Sequence, residues 1–337
     1  TIISSRNNGI TGWTRTGSGA TGAYYHTCVA TQPPLPPNSA WLMQIITTGC
    51  PGACAITTVN DMRTPSSYVR AGYYDVTDPL YGAKADDSIT NDAIAIQSAL
   101  DAGNIAGHCK VYVPGSVFPY ILGTTTLNVP AGCTFYGEGY ARSELQYAGT
   151  GSAVRYNSGE VNSSGFARVT ITDMVINGTN AANTGPGIEL NAGGFSYFII
   201  QRVRVTGSFL YGILLDAAEI VTIKDNIIDS GSGIANSANI WITNGNERTA
   251  GQTSLNYSTV IRIHDNQFNS SRWGVADDGG LWHYIENNNF NGHLIPVYLA
   301  GVTVGTIRNN NFEGNASTGI MDLQVSDRSI VAGGGTP

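Results

Sequence analysis

Trp282-His283-Tyr284-Ile285-Glu286-Asn287-Asn288-Asn289-Phe290 and Val304-Gly305-Thr306-Ile307-Arg308-Asn309-Asn310-Asn311-Phe312 are one phrase written twice. The Phe290-to-Phe312 step is about 22 residues, within the range where a fixed period marks a repeat array. A looser copy stands at Ile220-Val221-Thr222-Ile223-Lys224-Asp225-Asn226-Ile227-Ile228. Before each copy lies a second run: Gly212 to Asp216, Gly274 to Asp278, and Pro296-Val297-Tyr298-Leu299. Across residues 187–325 each unit thus holds three short β-rich runs separated by Asn, Gly, Ser or Asp.

None of these units can bury its apolar side alone, and stacking them makes one continuous core. Ile223, Ile263, Ile285 and Ile307 are expected to lie above one another. Asp225-Asn226, Asp265-Asn266, Asn287-Asn288 and Asn309-Asn310 recur at one corner. Asn and Asp tolerate the left-handed backbone of a sharp corner, and stacked amides bond along the axis. The pattern is that of an all-β parallel β-helix. A leucine-rich horseshoe fits less well, because no helical segment separates the strands.

Upstream, Tyr74-Asp75-Val76 leads to Tyr81-Gly82-Ala83-Lys84-Ala85-Asp86-Asp87 and then Asn91-Asp92-Ala93-Ile94-Ala95-Ile96-Gln97-Ser98-Ala99-Leu100. Thr90 is placed to cap a helix over about 91–102, Asp92 suits its first turn and Gly103 can end it. Ala93, Ile94, Gln97 and Leu100 form its apolar stripe. Such a helix lids the open end of a solenoid, where edge backbone would otherwise be exposed. This run resembles the opening of the pectate-lyase-like β-helix superfamily, which includes phage tailspikes, polygalacturonases and β-glucanases. Ala85 stands where that group usually has Gly. The resemblance covers roughly residues 73–325. It implies a right-handed, single-stranded parallel β-helix over 73–337.

Residues 1–72 do not repeat. They carry the run Pro33-Pro34-Leu35-Pro36-Pro37 and strand candidates at residues 40–46, 55–59 and 67–71. The order of these elements is similar to the knob-like modules of phage tail fibres and pyocins. Asn38 to Ile46, Ile56 to Asp61 and Tyr68-Val69-Arg70 match in turn; the usual closing Trp of that family is absent, and Tyr73-Tyr74 stands near its place. Residues 1–72 are therefore expected to be a small β module for attachment to a tail or baseplate protein.

Composition narrows the class. Charged residues make up 12% of the 337 and the net charge is −7, which argues against a nucleic-acid partner. No apolar run approaches the ~20 residues of a membrane span. The chain opens at Thr1, so an initiator or signal segment is expected to precede it, and no C-terminal cap or stalk is evident. The five cysteines, Cys28, Cys50, Cys54, Cys109 and Cys133, include at least one left over from pairing. Cys109 and Cys133 open strands on neighbouring rungs, and free buried thiols are the preferred expectation. Cys50-Pro-Gly-Ala-Cys54 has near-metal spacing but lacks two further ligands. No metal or other cofactor is called for, and activity is expected to survive chelation.

Side chains from successive rungs stand about 4.8 Å apart in columns. Aligning Ile188, Ile213, Ile240, Val275, Val297 and Ile320 inward puts Glu189, Leu214, Trp241, Ala276, Tyr298 and Met321 outward. The next outward column is Asn191, Asp216, Thr243, Asp278 and Ala300. Aromatic faces stack on sugar rings while carboxylates bond hydroxyls, so this face suits a glycan. Asp216 and Asp278 are the favoured catalytic pair, with Asp277 or Glu247 as replacements. Glu189, Trp241, Trp273, Tyr298, His293 and Arg248 are the expected substrate contacts. Residues 244–258 break the period and are expected to wall the groove. Gln201, Lys224, His264, Glu286 and Arg308 form a column on another sheet, read as a solvated or inter-subunit face.

The resemblance implies a homotrimeric phage tailspike on the virion that depolymerises a bacterial surface polysaccharide. Glycoside hydrolysis is favoured over elimination. The alternatives are a secreted polysaccharide lyase or hydrolase and a non-catalytic glycan-binding adhesin.

Overall fold

A computed structural model describes residues 73–86, 89–157, 167–191, 196–231, 235–243, 258–278, 280, 282–300 and 305–316, together with the backbone of six further strands. The chain divides into two compact units, Thr1–Tyr68 and Val69–Pro337. In the first unit Ile2–Asn7, Ile10–Arg15 and Gly22–Thr27 form an antiparallel meander. Met43–Thr48 and Ala55–Asp61 form a separate antiparallel pair. The meander was not anticipated, because its Gly- and Ser-rich strands lack a clear alternation. The strand expected at 67–71 lies outside the described residues.

The second unit is a right-handed parallel β-helix, with eight stacked rungs among the described residues. Each rung crosses three faces. The first face runs from Lys110–Tyr112 and Cys133–Tyr136 to Gly305–Arg308, the second from Tyr120–Gly123 to Asn311–Glu313, and the third from Leu127–Asn128 to Ile320–Gln324. All pairings between rungs are parallel. Inward positions hold a continuous apolar core. Ile223, Ile263, Ile285 and Ile307 stack in register as expected, and Ile200 extends the stack by one rung. Phe268, Phe290 and Phe312 stack beside them with centroids 4.9 and 5.3 Å apart.

The recurring corner divides its labour between two residues. Asp225, Asp265, Asn287 and Asn309 take the left-handed turn, with φ of 57, 59, 54 and 56°. The following Asn226, Asn266, Asn288 and Asn310 point inward as a ladder. The oxygens of Asn266, Asn288 and Asn310 each accept from the backbone N–H and side-chain amide of the previous rung's Asn, as in Asn226 N to Asn266 Oδ1 at 3.0 Å and Asn226 Nδ2 to Asn266 Oδ1 at 2.9 Å, while Asn226 Oδ1 accepts from Val203 N at 2.9 Å. Each amide also donates to a carbonyl, as from Asn266 Nδ2 to Ile223 O at 2.9 Å.

The capping helix spans Ala93–Ile105, longer than expected at its C-terminal end. Asp92, not Thr90, is its N-cap. The Asp92 carboxylate accepts from Lys84 N at 2.6 Å and Ile121 N at 3.0 Å, tying the lead-in loop to the first rung. Gly103 does not end the helix; it is buried against Cys109, and a Cβ there would meet the Cys109 Cα at 3.0 Å. The stop comes at Gly107, which takes the left-handed conformation at φ 73°. The buried face is Ala93, Ile96, Ala99, Leu100 and Gly103, whereas Ile94 is 75% exposed. Ile94 is one residue, about 100°, away from the core-facing line. Gln97 has a different task from packing. Its amide donates to Asn128 O at 3.0 Å and accepts from Asn128 N at 2.8 Å, pairing the edge of the first rung as another strand would.

Cys109 and Cys133 are not free thiols. They form a disulfide between the first two rungs, with Cα atoms 4.4 Å apart and a sequence separation of 24. Parallel strands place both residues at inward positions one rung apart, close enough to bridge.

Candidate functional site

The register of the third face matches the sequence alignment residue by residue. Glu189, Leu214, Trp241, Ala276, Tyr298 and Met321 pair in order, and so do Asn191, Asp216, Thr243 and Asp278. A further column, Tyr211, Ala238, Trp273 and Ile295, runs beside them. Large rings alternate between two columns. Tyr211, Trp241, Trp273 and Tyr298 therefore climb one rung at a time in a zigzag, with centroids 5.0, 5.3 and 5.9 Å apart. Ala238 and Ala276 are the small neighbours that make room, and both are buried. The Arg272 guanidinium lies 5.0 Å from the Trp273 ring. Tyr211 is the member that sequence reasoning missed, since it precedes the run used for alignment.

The carboxylates differ in their surroundings. Asp216 accepts from Asn191 Nδ2 and Thr243 Oγ1, each at 2.9 Å. Asp278 is exposed. Thr243 lies between them, so they are two rungs, about 10 Å, apart. Glu189 accepts a hydrogen bond from Ser152 Oγ one rung below. Glu219 was not foreseen: it starts a first-face strand three residues past Asp216, and burial pushes its carboxyl above the usual range.

Asp277 and His293 do not belong to this face. Asp277 continues the inward line of Ile242 and Leu299 and is fully buried. Its Oδ2 accepts from His283 Nδ1, while His283 Nε2 donates to Ser258 O at 3.0 Å. Opposite an ionised Asp277 both ring nitrogens donate, an arrangement that favours the imidazolium form of His283. Burial opposes that charge, but the Asp277 carboxylate and the Ser258 carbonyl outweigh it and raise the His283 pKa. A serine, histidine and aspartate thus meet without forming a nucleophilic triad: the serine contributes its carbonyl, and its Oγ is engaged with Thr243 O at 2.7 Å. His293 is buried beneath the second-to-third face turn, where Ser271 N and Oγ approach its Nδ1 at 3.4 and 3.2 Å. Burial lowers its pKa.

The His283 pair has a consequence for stability. A histidine whose folded pKa is raised contributes below its unfolded pKa and loses that contribution as pH rises through the folded value. This pair's contribution to the thermal midpoint is expected to decline as pH rises above the ordinary histidine value of 6.5, and His283→Gln should remove that dependence. An unchanged pH slope in the variant would show that the pair remains in the same charge state across the range.

Glu247, Arg248 and the rest of 244–257 lie outside the described residues. The column Gln201, Lys224, His264, Glu286 and Arg308 is in register on the first face, with Arg308 paired to Glu286 at 2.9 Å. Among the described residues no group of three or more His, Cys, Asp or Glu could hold a metal ion, and no helix is long and apolar enough to cross a membrane.

No family model and no curated protein matches the chain. Among solved structures it is similar to PfbA, a surface adhesin of Streptococcus pneumoniae, at 17% identity over 72% of this chain and 63% of that one, with a TM-score of 0.52. It is also similar to a Family 28 exopolygalacturonase of Yersinia enterocolitica, at 15% identity over 76% and 60% with a TM-score of 0.45. A third is tailspike protein 2 of Escherichia coli O157:H7 bacteriophage CAB120, at 13% identity over 75% and 42% with a TM-score of 0.40. The chain matches less than two thirds of the length of each. The first similarity shows a shared fold; the other two, below 0.5, add no argument to it.

Proposed function

We propose that this β-helix is a tailspike-type protein that binds a bacterial surface polysaccharide along its third face and cleaves it by glycoside hydrolysis. The zigzag of Tyr211, Trp241, Trp273 and Tyr298 carries the reading. Four half-exposed rings in one outward row are not needed by the core, and they present the stacking surface that a chain of sugar rings requires. The Asp216 and Asp278 column runs beside them. A separation of about 10 Å, shortened by side-chain rotation, suits inversion with a water between the carboxyls better than a covalent intermediate, which needs about 5–5.5 Å. Asp278 serves as one partner, and Glu219, whose raised pKa keeps it protonated nearer neutrality, joins Asp216 as a candidate acid. The protein acts as a homotrimer on the virion, with residues 1–72 attaching it to the tail.

One observation favours a binding-only adhesin instead. Both Asp216 hydrogen bonds are to neighbours on its own face, which suits a structural carboxylate as well as a catalytic one. Incubation with a panel of purified capsules, O-antigens and exopolysaccharides separates these readings. Hydrolysis releases reducing ends without the ultraviolet absorbance of an unsaturated uronate. Elimination produces both. Retention of a polysaccharide on the protein without any new ends supports the adhesin, and a sedimenting monomer of the full chain rules out the trimer.

A further inference from the structure

Among the described residues, a concavity lies away from the aromatic face. A groove of about 440 Å³ follows the corner between the first and second faces over the last four rungs. One wall is the left-handed row Asp225, Asp265, Asn287 and Asn309, all exposed. The other is Ile227, Gln267, Asn289 and Asn311, in register on consecutive strands. The floor is the asparagine ladder, whose amides are already engaged with one another and with backbone carbonyls. On the walls Gln267 Nε2 donates to Asn269 Oδ1 at 3.3 Å and Asn311 Nδ2 to Asn289 Oδ1 at 3.2 Å. Each amide has two donors and two lone pairs, so these exposed bonds leave capacity for a ligand, repeating at the rung height of about 4.8 Å.

The chemistry of the lining selects the occupant. Only Ile227 is apolar, so the groove lacks the apolar centre on which a protein partner would be anchored. Side-chain amides offer donors and acceptors together, the complement of a hydroxyl-rich ligand. The charges on the walls are Asp225 and Asp265, which repel a polyanion. His264, which flanks the row, is engaged with Asp265 at 2.7 Å. We infer that this corner groove is a second glycan-binding site, for a neutral polysaccharide lying along the helix axis over about four rungs. It shares its rungs with the aromatic row but lies across the cross-section from it. One molecule would then hold two strands of a dense surface glycan, and linked weak sites bind far more tightly than either alone.

The test uses the full chain and an array carrying neutral glycans, with dextran and chitin oligosaccharides among them, and acidic ones, with alginate and polygalacturonate among them. Gln267→Ala, Asn289→Ala and Asn311→Ala are combined in one variant. These side chains lie outside the buried ladder, and an unchanged thermal midpoint verifies the fold. The proposal expects binding to a neutral glycan that falls at least tenfold in the triple variant. It also expects Trp241→Ala to retain residual neutral-glycan binding that the triple substitution abolishes. Wild-type binding by the triple variant, loss confined to acidic glycans, or no neutral-glycan binding by the wild type would each overturn it. Loss in Trp241→Ala alone, with the triple variant intact, leaves the aromatic face as the glycan site and also rejects the groove.

Discussion

Asp278→Asn is expected to slow depolymerisation at least about a hundredfold, the usual scale for removing a general acid or base. Asp278 is exposed at the end of the strand Trp273–Asp278 and takes part in no core contact. Substitutions at such positions cost about 0.5 kcal/mol or less, so the thermal midpoint should stay within about 2 °C. Asp216→Asn should match the loss of rate but also perturb the face, because its new amide would confront the Asn191 amide that now donates to it. Full activity in both variants on a confirmed substrate would move the chemistry elsewhere, and Glu219→Gln would be the next substitution to assay.

The second large effect is on stability. Asn266→Leu is expected to cost about 3–6 kcal/mol. The side chain serves Asn226 N and Nδ2 on one rung, Ile223 O on the same side, and Asn288 Oδ1 on the next. Removing it takes that partner from Asn226 N and Ile223 O, at about 1–3 kcal/mol each, and one bond each from Asn226 Nδ2 and Asn288 Oδ1, which keep Ile200 O and Asn266 N. At this chain length that lowers Tm by roughly 5–10 °C. Asn309→Ala, one residue from the ladder and exposed, should cost far less. Equal losses at the two positions would mean that corner conformation, not the ladder, is what the asparagines provide.

Where a signal repeats, it was legible. The period of two on the third face fixed which residues pair and which face outward, from Ile188 to Val297, because a slip of one residue would bury Glu189 and Trp241. The same rule already placed Asp277 inside, one step from outward Ala276. It was misjudged because Asp277-Asp278 reads as a polar pair. His283 is likewise one step from outward Tyr284. Two polar residues at inward positions on either side of one corner are a detectable sign of a buried ion pair. The helix stripe failed at Ile94 because an apolar residue one position off the core line looks the same in composition. The neighbouring rungs of Cys109 and Cys133 were legible, but that both side chains point inward at one register position, as the bridge requires, was not. The aromatic zigzag was only half visible: Trp241 and Tyr298 share a column, whereas Tyr211 and Trp273 join them only once neighbouring columns are seen side by side.

The central claim is that the ring row binds glycan, and it is tested most directly by titrating Trp241→Ala against the polysaccharide that the wild type retains. Trp241 touches both Tyr211 and Trp273, so its loss breaks the row in the middle. The account predicts at least a tenfold weaker Kd, about 1.4 kcal/mol, with the fold intact. An unchanged Kd would contradict it.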